Sequence, residues 1–478
     1  MESIFNGESM RCLIASTLLL FCSLAAADEI SKNSIMQYMD YGHIPELVLV
    51  TIDKNKQSNI MLLSNKPQGG GDALDDKTLF ELASVSKSFT GMLAAKLMDS
   101  GVISANSTIN SVLNSMKTRY QSNQEDITFS QLLNHTSGIP FNSISLLYTH
   151  PEYSLEQVVD HIDLINLDAK PGEKFAYATA NYAIAARMME KVSGRTYAQL
   201  LQEEILTPLA MEQATVAIAD HKAQGNQIAF LRARPYDAPF VFSNVPAGYI
   251  QTSARDMLHW LQFLTRGSVS PALQQARETA FSTHFDVDTS EDEETRYSFG
   301  WFKQGSLFFH TGMNPTFSSY VSVDTATGVA TAVMANVNSN ITFEIGKQVM
   351  RQLNQGESVQ LPGEIKDLTL FDSYDRFFIV GSTALLLAFA AVFIRPKWGK
   401  TRQWGRIGYF ASAAAACVFA VSIFLLLSFP SLVVGLSWRT LSIWLPTSFW
   451  MFYSLLLVFF IFYFVRFVQS LYRRRSGK

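Results

Sequence analysis

The sequence predicts an α+β domain: an antiparallel sheet flanked by helices, with a helical subdomain inserted between the first and last strands. Three observations predict it. Strand-like segments open the region 28–354, helix-patterned segments fill its middle, and short alternating strands close it. In order, residues 46–52 read as a strand and another ends near Phe80. Residues 84–100 carry apolar positions at helical spacing, with Gly101 as a stop. Residues 128–134 resemble a short capped helix, and 135–140 turn the chain. Pro171-Gly172 marks a further turn before a helix at about 181–193 that ends at Gly194. Residues 298–301, 307–310, 317–323 and 328–335 read as short strands, with Thr325-Ala326-Thr327-Gly328 as a hairpin signal. A helix follows near 342–353. The acidic stretch 290–294 reads as a solvated loop, and no internal repeat is present.

The chain has 478 residues and a formal net charge of −3, which gives no reason to expect nucleic acid. Its three cysteines, Cys12, Cys22 and Cys417, all lie in apolar end segments. The globular part therefore has no disulfide, zinc–thiolate site or cysteine nucleophile. No metal-ligand cluster or nucleotide motif occurs, so no metal and no cofactor is expected.

The ends differ in character from the middle. Residues 1–27 read as a signal peptide: Arg11, an apolar core at 13–24, then Ala25-Ala26-Ala27 before Asp28. Residues 1–9 carry Glu2 and Glu8 and no basic residue, which points to Met10 as the true start. The surroundings of Cys22 do not fit a lipid anchor. After the connector 355–376, three apolar runs at about 377–394, 407–427 and 441–465 each approach the length of a membrane helix. Arg395, Lys397, Lys400, Arg402 and Arg406 fill the first connection, whereas the second carries only Arg439. The tail 466–478 is basic. Positive charge marks the cytoplasmic side, so the region 28–354 is expected outside.

Ser84 and Lys87 stand three residues apart in Phe80-Glu81-Leu82-Ala83-Ser84-Val85-Ser86-Lys87. A helix starting at the serine puts both on one face, where an amine made neutral by burial can take the hydroxyl proton. Four further segments follow in order: Leu132-Leu133-Asn134-His135-Thr136-Ser137-Gly138-Ile139-Pro140, Pro171 to Tyr182 around Tyr177, Pro246 to Met257, and His310-Thr311-Gly312. Together they resemble the class C β-lactamase and D-amino-acid peptidase family of serine hydrolases, over about 45–355. The resemblance implies the serine β-lactamase/D,D-peptidase-like fold, followed here by three transmembrane helices. It implies Ser84 as nucleophile, with Lys87 and Tyr177 sharing the proton work; which of them is the base in acylation stays open. The N–H groups of Ser84 and Met313 are the implied oxyanion donors. His310 is open between substrate contact and structural support, and His135 reads as a structural histidine of the turn. The family's Tyr-x-Asn is Tyr177-Ala178-Thr179 here, which argues against efficient β-lactam hydrolysis.

That departure and the apolar tail are similar to a subgroup, the membrane-bound D-asparaginyl peptidases that activate nonribosomal peptide–polyketide prodrugs, such as the colibactin-maturation and xenocoumacin-type enzymes. The likeness extends over 310–319 and 334–340. It implies removal of an N-acyl-D-asparagine cap after export, with Glu81, Thr179, Asn244 and Asn314 lining the pocket. Glu81 also reads as an ordinary strand-end carboxylate, and the colibactin enzyme carries histidine where Asn244 stands. The implied partners are an acylated, D-amino-acid-capped substrate and membrane lipid. A homodimer through the membrane helices stays open. The implied location is the bacterial inner membrane, multi-pass, with a periplasmic catalytic domain and a cytoplasmic C-terminus. A penicillin-binding D,D-peptidase, β-lactamase or esterase is the alternative within the class. An inactive membrane binding or sensor protein is the alternative outside it.

Overall fold

Strand β1 (Glu46–Ile52) is buried along its whole length, and its side chains alternate between two apolar layers. Leu47 and Leu49 join a cluster with Ile35, Tyr38, Ile341, Ile345 and Val349, whereas Val48, Val50 and Ile52 join the larger core. A strand with both faces covered needs that pattern, and it makes the domain three layers deep. The computed structural model describes residues 30–66, 73–114, 116–266, 270–282, 285–286, 295–360, 370–394, 406–429, 432 and 434–475. The expected signal peptide, the acidic stretch 290–294 and most of the basic first connection lie outside them.

The main sheet has eight antiparallel strands: β1, β2 (Ser58–Ser64), β3 (Phe285–Asp286), β4 (Arg296–Ser298), β5 (Trp301–Gln304), β6 (Leu307–Met313), β7 (Ser318–Asp324) and β8 (Ala330–Ala335). Their order is β3-β4-β5-β6-β7-β8-β1-β2, so first and last strands meet as β1 beside β8. Helices α1 (Lys32–Tyr41) and α6 (Ile341–Gln355) cover one face. On the other lie α2 (Ser86–Asp99), α3 (Ala180–Ser193), α4 (Ala254–Arg266) and α5 (Pro271–Ser282), with the inserted helical region. A small sheet of Lys117–Tyr120, Asn123–Glu125 and Leu164–Leu167 lies within that region; no alternation in the sequence announced it.

Residues 298–301 are a turn, not the expected strand. Ser298 pairs with Trp301 across Phe299 and Gly300, both at positive φ, the geometry of a tight two-residue hairpin. The turn sits against α2. A Cβ on Gly300 would stand 2.2 Å from the Lys87 carbonyl oxygen, and one on Gly91 would stand 1.7 Å from that of Phe299. Two glycines thus let hairpin and helix backbones touch.

Beyond the domain lie α7 (Leu370–Ile394), α8 (Arg406–Phe429), α9 (Trp438–Trp444) and α10 (Thr447–Arg475). Among the described residues two segments are long and apolar enough to cross a membrane, Ser373–Ala391 and Thr447–Arg466; α8 carries a shorter apolar part, Ala416–Phe429. The third apolar run, expected to be continuous over 441–465, is broken. The short α9 is capped by Ser437 and ends at Leu445-Pro446, and α10 starts afterwards. Proline at 446 has no N–H to continue the helix.

Candidate active site

The chain enters the site as the strand Phe80–Glu81, paired with Gln251–Thr252, and Leu82 donates its N–H to the Ile250 carbonyl at 2.8 Å. Ala83 then takes φ +45°, and Ala83–Val85 forms one turn of 3₁₀ helix before α2 begins at Ser86. Ser84 is therefore in the tight turn rather than at the start of the α-helix. A non-glycine residue in the left-handed region costs on the order of 1–3 kcal/mol, and the strand pairing before it and the helix after it hold it there.

Lys87 is wholly buried behind Ser84. Its Nζ is 3.2 Å from Ser84 Oγ and 2.8 Å from the Ala247 carbonyl oxygen. That carbonyl supplies the support that the missing family asparagine leaves in question; Thr179 is buried at the N-terminus of α3 and makes no capping bond. Tyr177 keeps part of its surface at the mouth, its hydroxyl lies toward Ser84, and its ring centre lies 5.1 Å from Lys87 Nζ. The structure thus brings positions 84, 87 and 177 together. Burial alone lowers the Lys87 ammonium to about 7 and raises the Tyr177 phenol, an effect that the nearby Ser84 hydroxyl partly offsets. A neutral amine beside a protonated phenol is the pair of states such a pocket favours.

Across from Ser84 runs the second half of β6. Strand β5 pairs only with Leu307, Phe308 and Phe309, so His310 to Met313 are bonded in the sheet to β7 alone. Asn314 donates its N–H to the Phe317 carbonyl at 2.8 Å. The antiparallel alternation then turns the Met313 N–H to the other edge of β6, the side of the nucleophile. Gly312 makes that approach possible: a Cβ there would lie 2.4 Å from the Leu82 oxygen and 2.9 Å from the Ser84 nitrogen. Gly312→Ala is expected to push the nucleophile turn away from β6 and lower kcat/KM by about 100-fold, read as slower fluorophosphonate labelling of Ser84.

The two histidines face inward. His135 Nδ1 accepts from the Ala178 N–H at 3.3 Å and pairs with the Asn181 amide at 2.9 Å, so the ring ties the turn to the tyrosine segment. His310 donates from Nδ1 to the Thr311 carbonyl at 2.6 Å, and its Nε2 is 3.4 Å from the Tyr297 hydroxyl. Burial, with the Lys87 charge second, lowers it to about 3 and keeps it neutral. Both of its ring nitrogens have protein partners.

Beside the nucleophile, Glu81 is buried and its two oxygens are divided. Oε1 accepts from Lys222 at 3.0 Å and Oε2 from the Asn314 amide at 2.9 Å. The same Asn314 nitrogen donates to the Gly248 carbonyl at 2.7 Å. Asn244 is buried nearby, and its Oδ1 has no partner among the described residues. A Cβ on Gly248 would lie 3.3 Å from Asn244 Nδ2 and 3.5 Å from Asn314 Oδ1, so the bare glycine backbone leaves a slot beside both amides. A cavity of about 160 Å³ lies at Lys222, lined also by Gln224, Thr316 and Phe317. Sequence reasoning missed Lys222, which sits in no motif, and the Ala247 carbonyl, which no side chain announces.

The comparisons bear on the fold and the family. The chain is 26% identical over 429 residues to Protein flp of Staphylococcus aureus strain MW2, covering 85% of this chain and 83% of that protein. It is 24% identical over 267 residues to the D-alanyl-D-alanine-carboxypeptidase/endopeptidase AmpH of Escherichia coli K12, covering 53% and 69%. The crystal structure of a D-stereospecific amidohydrolase from Streptomyces sp. superposes with a TM-score of 0.55 at 20% identity, covering 69% of this chain and 100% of that one; it shows the shared fold. The family model described as Beta-lactamase matches residues 32–353, the whole domain that carries the serine, the lysine and the tyrosine. The chain belongs to the β-lactamase family, serine hydrolases that act on amide bonds.

Proposed function

We propose that this protein is a membrane-anchored serine peptidase that removes an N-acyl-D-amino-acid cap, with D-asparagine as the residue recognised, from an exported peptide-like prodrug. The observation that carries the reading is the slot beside Ser84. It offers the Asn314 and Asn244 amides and a carboxylate already neutralised by Lys222. Such a wall suits a neutral side chain that both donates and accepts, which is what a primary amide does. A substrate carboxylate would face Glu81 next to the cation that already pairs with it.

In this mechanism, neutral Lys87 takes the Ser84 proton as Oγ attacks the amide carbonyl, and the N–H groups of Ser84 and Met313 hold the oxyanion. The carbon–nitrogen bond breaks and the leaving amine receives a proton by way of Tyr177, which the Lys87 ammonium reprotonates. Water then hydrolyses the ester to give the N-acyl-D-amino acid. The apolar side chains exposed on the C-terminal helices, such as Phe377 and Leu387 on α7, Val418 and Phe424 on α8 and Val458 and Ile461 on α10, suit lipid contact by all three long helices. The flp alignment is also long enough that it must run past residue 353 into this part.

Full-length protein in detergent, given N-acyl-D-asparaginyl amides, acyl-D-Ala-D-Ala and a chromogenic cephalosporin, tests the reading. The D-asparaginyl amide is expected to give the highest kcat/KM, by at least about tenfold. Faster release of D-alanine or faster β-lactam opening would overturn it in favour of a D,D-peptidase or β-lactamase.

A further inference from the structure

We propose that the cavity between the hairpin of Asn226–Ile228 with Ala233–Pro235 and the helices α9 and α10 binds the phosphate of a membrane phospholipid, with Arg234 as its charged contact. The inference rests on the membrane-anchored part of the reading above and goes beyond it, to a second molecule held away from Ser84.

The hairpin turns at Phe230-Leu231, both at positive φ, and Ala229 donates its N–H to the Arg232 carbonyl at 3.0 Å. This is the tight two-residue turn that right-twisted strands favour. Gln227 stands opposite Arg234 in the register, and Tyr236 continues the ladder by donating its N–H to the Gly225 carbonyl at 3.0 Å. Alternation then puts Gln227, Arg234 and Tyr236 on one face, and all three line the cavity. Ser442 from α9 and Thr447 and Trp450 from α10 close it, around a volume of about 150 Å³. The Gln227 amide donates to the Trp444 carbonyl at 2.9 Å and so ties hairpin to helix.

Hydrogen bonds around Asp375 fix the level of this cavity. Leu231, in the turn, donates its N–H to Asp375 Oδ2 at 2.5 Å, and Ser448 donates its hydroxyl to Oδ1. Asp375 lies near the start of the apolar segment Ser373–Ala391, and Ser448 near the start of Thr447–Arg466. The turn and both segment starts therefore share one height, where hydrocarbon gives way to headgroups and interfacial tryptophans such as Trp450 collect. The charge there has one sign. Arg234 donates from Nε to the Ala229 carbonyl at 3.1 Å, and its terminal nitrogens have no hydrogen-bond partner among the described residues. Both Asp375 oxygens are taken, and Asp220 and Asp237 line the other cavity, at Lys222. Among the described residues no carboxylate lines this one. A guanidinium fork with open donors matches the paired oxygens of a phosphodiester, and the hydroxyls of Tyr236, Ser442 and Thr447 add further donors. Thr447, Met451 and Val458 share one face of α10, and the last two are exposed, so an apolar track for the lipid chains leads down from the cavity. A free phosphate would leave that track unused.

Full-length protein in a neutral detergent, titrated with phosphatidylglycerol, phosphatidylethanolamine, diacylglycerol of the same chains and inorganic phosphate, tests the site, with retained ligand counted by native mass spectrometry. Both phospholipids are expected to bind at least about tenfold more tightly than diacylglycerol. Arg234→Gln is expected to remove that difference. This variant also loses the Ala229 bond, so Ser442→Leu, which fills the cavity and leaves the hairpin whole, is expected to give the same result. Arg376→Gln and Arg439→Gln change exposed cations of the C-terminal helices that do not line the cavity, and are expected to alter binding by less than about twofold. Fluorophosphonate labelling of Ser84 reports an intact fold in each variant. Equal binding of diacylglycerol would leave only chain contact and overturn the site. Equal losses in all three arginine variants would overturn it in favour of unlocalised attraction to an anionic surface. Inorganic phosphate bound as tightly as the phospholipids would overturn the lipid as the source. Carbonate extraction of membranes keeps the anchored reading separate: protein released by it removes the anchor, whereas protein retained but without a phospholipid preference removes the site alone.

Discussion

Ser84→Ala is expected to abolish both turnover and covalent labelling by a fluorophosphonate, with a loss in kcat of about 10⁴-fold or more. The magnitude follows from how the three groups act. Lys87 and Tyr177 are arranged around the Ser84 oxygen, so removing that oxygen leaves them nothing to activate. The substitution deletes one partly exposed hydroxyl from a turn held by backbone pairing, through Leu82 to Ile250 and Phe80 to Thr252. Folding is therefore expected to be unchanged, and thermal unfolding of wild type and variant should coincide within a degree or two. A variant that still turns over substrate would remove the acyl-enzyme from the mechanism.

Much of this site was legible from local sequence, for a physical reason. The nucleophile turn, the His135 turn and the β6 edge are each built by short-range backbone chemistry, which leaves a trace in consecutive residues. The capped helix Phe129–Leu133, with Thr128 bonding the Gln131 N–H and Gln131 reaching back, is written in four residues. The β7–β8 hairpin is announced by its turn. What stayed hidden depends on groups far apart in sequence. Lys222 meets Glu81 across 141 residues, and the Ala247 carbonyl meets Lys87 across 160. A backbone carbonyl carries no sequence signal at all. The Phe299-Gly300 turn was hidden differently: its apolar neighbours read as one strand, and only positive φ at both positions separates two. The third apolar run was misread for the converse reason. Its composition is continuous, but Pro446 and the docking of Trp444 divide it into a helix that packs on the domain and another long enough to span a bilayer.

Lys87→Met is expected to lower kcat/KM by at least about 10³-fold while making the folded protein more resistant to unfolding at neutral pH. The same burial causes both effects. It lowers the Lys87 ammonium from an ordinary 10.5 to about 7, which makes the free amine available as a base. The wild-type kcat/KM should therefore rise with pH through about 7 and level off above it. For stability the sign runs the other way. Between about 7 and 10.5 the unfolded chain holds a proton that the folded chain has released, so wild-type stability rises with pH across this window. At and below about 7 the penalty of a buried charge is fully present, at about 1.4 kcal/mol per unit of lowering. Methionine removes that penalty and fills similar volume, at the cost of leaving the Ala247 carbonyl without its donor, about 1–3 kcal/mol. The first effect is the larger at pH 6–7, so the variant should unfold at higher temperature there. Its advantage should shrink steadily toward pH 10 as the wild-type penalty disappears. A difference in stability that does not change between pH 6 and 10 would mean that Lys87 keeps an ordinary ammonium in the folded protein. The proton would then have to leave Ser84 by another group, with the Tyr177 phenolate as the remaining candidate.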